Sequence, residues 1–213
     1  MSGYHSPSCN SPVMSEDAYP IFEAFVVTHT RPGALALDIG CGQGKVALML
    51  ARHGYAVVAV DHSATAVEQI TRQIQEEGIC IDALVADYFD FEPQGEFDII
   101  VLDTLFYLHK NDRKGEIAFL NRLSNHLSET GYLCFFVHRT PDTTSAIREW
   151  LNARSNHLSP VLEQEMRMGA RNSDDDIQPT AQMLMLVLQV VSPRGRMPSP
   201  TISPPSEFHF PLL

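Results

Sequence analysis

Three glycines, Gly40, Gly42 and Gly44, follow an apolar run and Asp38 in the segment LALDIGCGQG. Glycine allows the chain to turn tightly, and it lets a ligand approach the backbone without meeting a Cβ atom. The apolar run predicts a strand and the residues after Gly44 predict a helix, so the glycines lie in a strand-to-helix turn. We therefore predict a ligand-binding loop that includes Gly40, Cys41, Gly42 and Gly44.

The residues around the glycines distinguish three ligand classes. A phosphate-binding P-loop requires Ser or Thr after its lysine, whereas Val46 follows Lys45 and the spacing from Gly40 is one residue short. A dinucleotide loop requires glycine where Lys45 stands, and Asp38 would lie beside a doubly negative pyrophosphate. S-adenosylmethionine has no phosphate and carries an ammonium and a sulfonium, which a carboxylate stabilises. Asp38 therefore favours S-adenosylmethionine over ATP or NAD.

Further acidic residues end the next predicted strands, and we expect them on the same rim. Asp61, followed by His62, could accept hydrogen bonds from the two ribose hydroxyls. Asp87, followed by Tyr88, could accept from the adenine amino group, and Asp103 could line the methionine end or the floor of the acceptor site. Other roles stay open, because Asp61 could cap the helix that begins near Ser63, whereas Asp87 and Asp103 could be solvated acids. Cys41 is interpreted as a small residue that fills the turn.

Methyl transfer requires mainly that the acceptor atom, the methyl carbon and the sulfur are held in line. If the acceptor must lose a proton, the candidate bases are His109, after the fourth predicted strand, and His138, at the end of the fifth. The alternative for each is an ordinary surface histidine, which is the more common role of a histidine in such a position. With Lys110 and Arg139 they form a basic cluster that could bind an anionic acceptor such as a carboxylate. No histidine pair has metal-site spacing, so no metal is predicted.

Short apolar runs alternate with helical patterns along the chain, which is typical of an α/β sheet. The predicted strands are ALALDIG, YAVVAV, CIDALVAD, FDIIVLD and YLCFFVH, followed by PVLEQEMRM and MLMLVLQVV as a hairpin around GARNSDDDIQPTA. Helices are predicted at YPIFEAFVVTH, GKVALMLARHG, SATAVEQITRQIQEEG, DRKGEIAFLNRLSNHLS and TTSAIREWLNARS, whereas the crossover after the third strand has no clear helix. We predict a Rossmann-like, doubly wound, mostly parallel seven-stranded sheet with an antiparallel edge hairpin and helices on both faces.

Length and charge limit the organisation and the partners. A chain of 213 residues with 44% hydrophobic content predicts one domain, 18–191, between a polar tail, 1–17, and a Pro-rich tail, 192–213. The formal net charge of -11 disfavours a nucleic-acid partner. The four scattered cysteines, the start without signal-peptide features and the short apolar runs predict a cytoplasmic protein that does not enter membranes. Nothing in the sequence predicts an oligomeric state.

Taken together, these motifs resemble the class I S-adenosylmethionine-dependent methyltransferases over about Ile21 to Val191. The first motif matches from Asp38 to Gly44, the ribose acid matches Asp61 and the adenine-contacting position matches Asp87. FDIIVLDTLFYLH resembles the fourth-strand motif, and Glu129-Thr130-Gly131 replaces the usual Pro-Gly-Gly turn.

The resemblance implies the binding of S-adenosylmethionine, release of S-adenosylhomocysteine, and an N-terminal segment near Tyr4, Tyr19 and Phe22 that folds over the cofactor. It is nearest to tellurite-resistance-type and other small-molecule methyltransferases, so we expect a small-molecule acceptor. Methylation of a flipped base is disfavoured, because Asp103-Thr104-Leu105-Phe106 replaces the Pro-Pro-aromatic tetrad. The alternatives are a non-catalytic S-adenosylmethionine-binding sensor or partner subunit, and an NAD-dependent oxidoreductase.

Overall fold

Twelve helices and strands follow one another in the computed structural model, which describes residues 18–31, 33–103, 108, 113–171 and 177–191. The strands are β1 (Leu35–Ile39), β2 (Ala56–Asp61), β3 (Ile81–Val85), β4 (Phe97–Asp103), β5 (Leu127–His138), β6 (Leu158–Arg171) and β7 (Ile177–Val190). The helices are α1 (Ala18–His29), α2 (Lys45–Arg52), α3 (Ala64–Glu77), α4 (Arg113–Ser124) and α5 (Pro141–Ala153).

The strands form one sheet in the order β3-β2-β1-β4-β5-β7-β6. Strands β1 to β5 pair in parallel, whereas β7 is antiparallel to both β5 and β6. The predicted doubly wound sheet with an antiparallel edge hairpin is therefore confirmed. The parallel pairing brings the carboxyl ends of β1 to β5 to one edge of the sheet, where α/β proteins bind their ligands.

Alternate residues of the central strands face two separate apolar cores. In β4, Ile99 and Val101 face the first core and Ile100 and Leu102 face the second, and all four side chains are fully buried. Burial on both faces explains why FDIIVLD is a continuous apolar run rather than an alternating one. Helices α1, α2 and α3 cover the first core through Phe22, Val26, Val46, Leu50 and Ile70, and α4 and α5 cover the second through Phe119, Leu120, Leu123, Ile147 and Trp150.

The crossover from β3 to β4 contains turns and no helix over residues 86–96. The carbonyl oxygen of Asp87 accepts from the N–H groups of Asp90 and Phe91 at 3.1 and 2.9 Å, which closes the turn. Pro93 and Gly95, whose φ is +84°, oppose helix formation after that turn. Tyr88 and Phe91 pack against the second core, so the crossover covers the sheet without a helix.

The connection from α4 to β5 differs from the prediction. The predicted helix DRKGEIAFLNRLSNHLS is too long, because α4 ends at Ser124 and the N–H of Phe97 donates to the carbonyl oxygen of His126 at 2.7 Å. The Glu129-Thr130-Gly131 segment lies within β5 as an irregularity between Leu127 and Tyr132. A Cβ at Gly131 would lie 2.8 Å from the carbonyl oxygen of Phe97, so glycine permits this close approach.

The edge hairpin is longer than PVLEQEMRM and MLMLVLQVV predict. Pairing continues from Arg167 with Gln182 to Arg171 with Ile177, so most of the predicted acidic loop belongs to the strands. Strand β5 ends at His138, which pairs with Met183. Residues 167–171 and 177–182, named here the hairpin arm, therefore project beyond the carboxyl end of β5. Among the described residues no helix is long and apolar enough to cross a lipid bilayer.

Candidate functional site

The glycine loop between β1 and α2 has three residues in the left-handed region. The φ angles are +73° at Gly40, +51° at Gly42 and +83° at Gly44, a conformation that glycine adopts without steric cost. The N–H groups of Gly40 and Cys41 donate to the carbonyl oxygen of Val60 at 2.7 and 3.0 Å. The loop is therefore fixed against β2, at the edge where the parallel strands end.

Asp61, the last residue of β2, fixes the loop from its other side. Its Oδ2 accepts from the N–H of Gly42 at 2.9 Å, and its Oδ1 accepts from the N–H of Ser63 at 2.8 Å. The N-cap of α3 is Ser63 itself, whose Oγ accepts from the N–H of Ala66 at 3.3 Å. Each Asp61 oxygen keeps a further acceptor position, because a carboxylate offers about four. The exposed His62 places its Nδ1 3.5 Å from Asp61 Oδ1.

Asp38 is buried beside the same loop. Only 1% of the residue is exposed, and neither carboxylate oxygen accepts a hydrogen bond within the described part of the chain. Burial, and then the negative charge of Asp103, raises the pKa of Asp38 to about 8; the backbone N–H of Ala47, which makes no hydrogen bond of normal geometry with the carboxyl group, lowers that pKa in part. A buried carboxyl group without a partner is costly, and a bound cation or hydrogen-bond donor would relieve that cost.

Tyr19 of α1 reaches the end of β4 and contacts two other elements. Its hydroxyl donates to Asp103 Oδ2 at 2.6 Å, and Lys45 Nζ lies 3.7 Å from the centre of its ring. Burial, and then the charge of Asp103, raises the pKa of Tyr19, so the hydroxyl remains a donor. The sequence placed Tyr19 in the segment expected above the cofactor, but the bond to Asp103 joins residues 84 positions apart and had no local signal.

Cys41 lies inside the loop rather than at its surface. The residue is buried, and its Sγ is 3.8 Å from the carbonyl oxygen of Gly42. Burial, and then the negative charges of Asp38 and Asp61, raises the pKa of Cys41 well above the usual thiol range. A neutral thiol in this position agrees with the interpretation that Cys41 fills the turn.

Asp87 and Tyr88 follow β3 and point to different surroundings. Asp87 is exposed, and its Oδ1 accepts from the N–H of Phe89 at 2.8 Å, which is a local turn contact. The ring of Tyr88 packs 5.4 Å from that of Phe119 in α4, centre to centre. Asp87 remains available as a predicted adenine contact, whereas the Tyr88 ring belongs to the edge of the second core.

Of the two candidate bases, the structure places His138 at the end of β5, two positions beyond the residue that pairs with Asp103. The side chain is half-buried on the predicted active rim. His109 and Lys110 lie outside the described residues. Arg139 does not stand as a free cation, because its guanidinium contacts Glu165 at 2.9 Å and Gln182 Oε1 at 3.1 Å.

Replacement of Gly44 by alanine tests whether the loop geometry limits stability. A Cβ would lie 2.3 Å from Cδ1 of the fully buried Ile70, in addition to the strain of a φ of +83°. We expect a loss of about 2–5 kcal/mol in the free energy of unfolding and a fall in Tm of roughly 5–15 °C. In the control Gly78→Ala, which has a φ of +64° but an open site, only the backbone strain applies. Equal Tm values for the two variants in a thermal melt would contradict the packing argument.

Known proteins identify the family to which this loop and its acids belong. A family model described as a methyltransferase domain matches residues 36–131, the segment that contains the glycine loop, Asp61, Asp87 and Asp103. Residues 36–131 therefore belong to a methyltransferase domain of the class I S-adenosylmethionine-dependent superfamily. The predicted resemblance is thereby confirmed.

Two curated relatives illustrate the range of named acceptors. The chain is 36% identical over 135 residues to the ribosomal RNA small subunit methyltransferase C of Alcanivorax borkumensis. This alignment covers 62% of this chain and 39% of that protein. It is 29% identical over 110 residues to the cypemycin N-terminal methyltransferase of a Streptomyces species, covering 51% and 44%. The chain spans about half or less of the length of these relatives.

Solved structures agree on the fold. The structure of TehB from Haemophilus influenzae superposes with a TM-score of 0.66 at 16% identity, covering 79% of this chain and 61% of that one. At this level of identity the likeness concerns the fold alone.

Proposed function

We propose that the protein binds S-adenosylmethionine at the rim formed by the glycine loop and transfers its methyl group to a small-molecule acceptor. The observation that carries this proposal is Asp38, a carboxyl group that is 1% exposed and has no hydrogen-bond partner within the described residues. Such a group beside a glycine loop suits a cationic ligand without phosphate, because a phosphate would add repulsion.

The remaining groups of the rim suit the other parts of the same ligand. Gly42 leaves room for a ligand to approach the backbone, because a Cβ there would meet nothing within 4 Å, whereas Gly44 gives its space to Ile70. Asp61 is oriented by the N–H groups of Gly42 and Ser63 and can accept further bonds from two ribose hydroxyls. Asp87 would accept a hydrogen bond from the adenine amino group. His62 and Cys41 are proposed as further cofactor contacts. Asp103, held by Tyr19, would lie at the methionine end.

When bound, S-adenosylmethionine supplies a methyl group that is already activated by a positively charged sulfur. The chain's task is then mainly to position the acceptor in line and to exclude water. Tyr19 contributes by joining α1 to the start of α2 and to the end of β4. His138 would take up a proton from an acceptor that must lose one; His109 remains the second predicted base.

The acceptor is proposed to be a small molecule because the chain carries a formal net charge of -11, which opposes a phosphate backbone. A ribosomal RNA acceptor is the second candidate, because one relative of 36% identity is named for it. The cypemycin N-terminal methyltransferase is named for a peptide terminus, so the named acceptors of relatives point in different directions. The charge of this chain is the observation that favours the small molecule.

Thermal shift with two ligands tests the cofactor. At a concentration of about 100 times Kd, S-adenosylhomocysteine should stabilise the fold by about 2.7 kcal/mol, which raises Tm by roughly 5–10 °C. NAD at the same concentration should leave Tm unchanged. No shift with S-adenosylhomocysteine, or an equal shift with NAD, would refute the assignment.

Turnover is tested separately with methyl-labelled S-adenosylmethionine and a panel of small acids, amines, thiols and phenols, with ribosomal RNA as a further acceptor. Transfer to a small molecule supports the proposal. Transfer to RNA alone would replace the acceptor class. Binding without transfer to any acceptor would favour a non-catalytic S-adenosylmethionine-binding module.

A further inference from the structure

A cavity lies beyond the carboxyl end of β5, near the predicted active rim. It has a volume of about 620 Å³ and is named here the α5 cleft; its polar lining includes Arg139, Thr140, Thr144, Ser145, Arg148 and Gln182. This volume lies within the range of about 300–1,000 Å³ that is typical of small-molecule sites. The walls come from the turn after β5, the outer face of α5 and the start of the hairpin arm, so the cleft is built from three separate parts of the chain.

The cleft is close enough to the rim to hold one end of an acceptor. Asp103 pairs with Phe136 across β4 and β5, and Arg139 follows three positions later. At about 3.3 Å per residue, Arg139 lies about 10 Å beyond the level of Asp103. A small acceptor of ordinary length could therefore place one group in the cleft and another at the methyl group.

Arg148 differs from the other arginines of the described chain. Of the eight between Arg31 and Arg154, seven bond to a carboxylate, a carbonyl or a hydroxyl, whereas Arg148 has no hydrogen bond or ion pair among the described residues. It is exposed on the cleft side of α5. The one carboxylate that lines the cleft, Glu149, already accepts from the hydroxyl of Ser145 at 3.0 Å.

The rest of the cleft provides fixed dipoles and donors. The backbone N–H of Arg139 donates to the carbonyl oxygen of Gln182 at 2.8 Å, and its guanidinium is held by Gln182 and Glu165. Thr140 caps α5 through its Oγ1, which accepts from the N–H of Thr143 at 3.1 Å, so the positive end of that helix lies at the cleft. The guanidinium of Arg148, the hydroxyl groups of the lining and the amino end of α5 together favour an oxyanion, whereas the charge of Arg139 is already balanced by Glu165.

We propose that the α5 cleft binds the anionic group, a carboxylate or a phosphate, of the small-molecule acceptor and that Arg148 is its ion-pair partner. The inference rests on the proposed function and names the acceptor class for it. A guanidinium without a competing carboxylate can bind either oxyanion in a bidentate way, which fixes the orientation of the acceptor as well as its affinity. Neutral analogues of the same shape would lose this contact.

The test uses the full chain saturated with S-adenosylhomocysteine and follows backbone amide signals by NMR. Succinate is the carboxylate probe and inorganic phosphate is the phosphate probe. At least one of them should shift the amide signals of residues 139–152, whereas neutral succinamide should leave these signals unchanged. In the variant Arg148→Gln, the Kd for the effective anion should rise at least tenfold. The control Arg72→Gln, an exposed arginine on α3 that pairs with Glu68, should bind the anion as the wild type does.

Absence of shifts in 139–152, an equal response to succinamide, or an unchanged Kd in Arg148→Gln would overturn the inference. Tighter binding of a single-stranded RNA oligonucleotide at the same amides would also overturn it in favour of a nucleic-acid partner. The affinity for S-adenosylhomocysteine separates the two proposals. If the wild type does not bind S-adenosylhomocysteine, the proposed function is refuted. If it binds S-adenosylhomocysteine but no anion, only the inference about the cleft is refuted.

Discussion

Replacement of Asp61 by alanine is expected to weaken the binding of S-adenosylhomocysteine at least about 100-fold, because one carboxylate has two tasks. It would lose hydrogen bonds to the ribose hydroxyls, each worth about 1.5–3 kcal/mol with a charged acceptor. It would also leave the N–H groups of Gly42 and Ser63 without their present acceptor, so the glycine loop would keep only its backbone bonds to Val60 as its attachment to β2. Isothermal titration calorimetry gives the change in Kd directly.

The matched control is Ser63→Ala, which removes the helix cap at a cost of about 1 kcal/mol but keeps Asp61 and its contact with Gly42. This variant should melt at a lower temperature and still bind S-adenosylhomocysteine within about threefold of the wild type. A loss of affinity in both variants would attribute the effect to the fold of the loop. Wild-type affinity in Asp61→Ala would show that the carboxylate does not bind the ribose.

The parallel part of the sheet could be predicted because each strand is marked by its own residues. Continuous apolar runs such as FDIIVLD identify strands that are buried on both faces, and Ser63 and Gly78 mark the ends of α3 by local chemistry. The bulge in β5 and the length of the hairpin arm depend on pairing between distant residues, such as Phe97 with Leu127 and Arg171 with Ile177. No local pattern encodes these pairings.

In the candidate site, too, some features are encoded by local sequence and others depend on contacts between distant residues. The acids of the rim were placed from the sequence, because in a parallel sheet all the strands' carboxyl ends lie at one edge. That Asp38 has no hydrogen-bond partner in the described part of the chain, and that Tyr19 bonds to Asp103, are properties of the packing at the ends of β1 and β4. Arg148 carried no signal, because the absence of a partner is a property of its neighbours in space. Sequence therefore places the acids at the carboxyl ends of the strands, but it does not give the contacts that other elements make around them.

Binding of S-adenosylhomocysteine is expected to strengthen as the pH rises from 6 to 8. In the ligand-free protein the pKa of Asp38 is raised to about 8 by burial and by the charge of Asp103, so most molecules carry a proton there at pH 6. The ligand's ammonium favours the ionised carboxylate, so binding releases that proton, and the affinity should increase up to about 50-fold over this interval. Isothermal titration calorimetry at several pH values, in buffers of different ionisation enthalpy, measures both the affinity and the proton release.

The same group has the opposite effect on the stability of the ligand-free protein. Its folded pKa of about 8 lies above its ordinary value of 3.8, so the folded state holds an additional proton between about pH 4 and pH 8. The stability that Asp38 contributes is therefore fully present below pH 4 and is lost as the pH rises through 8. The variant Asp38→Asn, which cannot ionise, should be more stable than the wild type at pH 8 but should bind S-adenosylhomocysteine weakly and with little pH dependence.

The control His62→Gln removes the histidine whose Nδ1 lies 3.5 Å from Asp61 Oδ1. Because His62 contacts Asp61 and not Asp38, the variant should keep the wild-type increase in affinity with pH. An increase that persists in Asp38→Asn, or disappears in His62→Gln, would move the titrating group away from Asp38. The buried acid of β1 would then be a structural feature of the loop rather than the partner of the cofactor's ammonium.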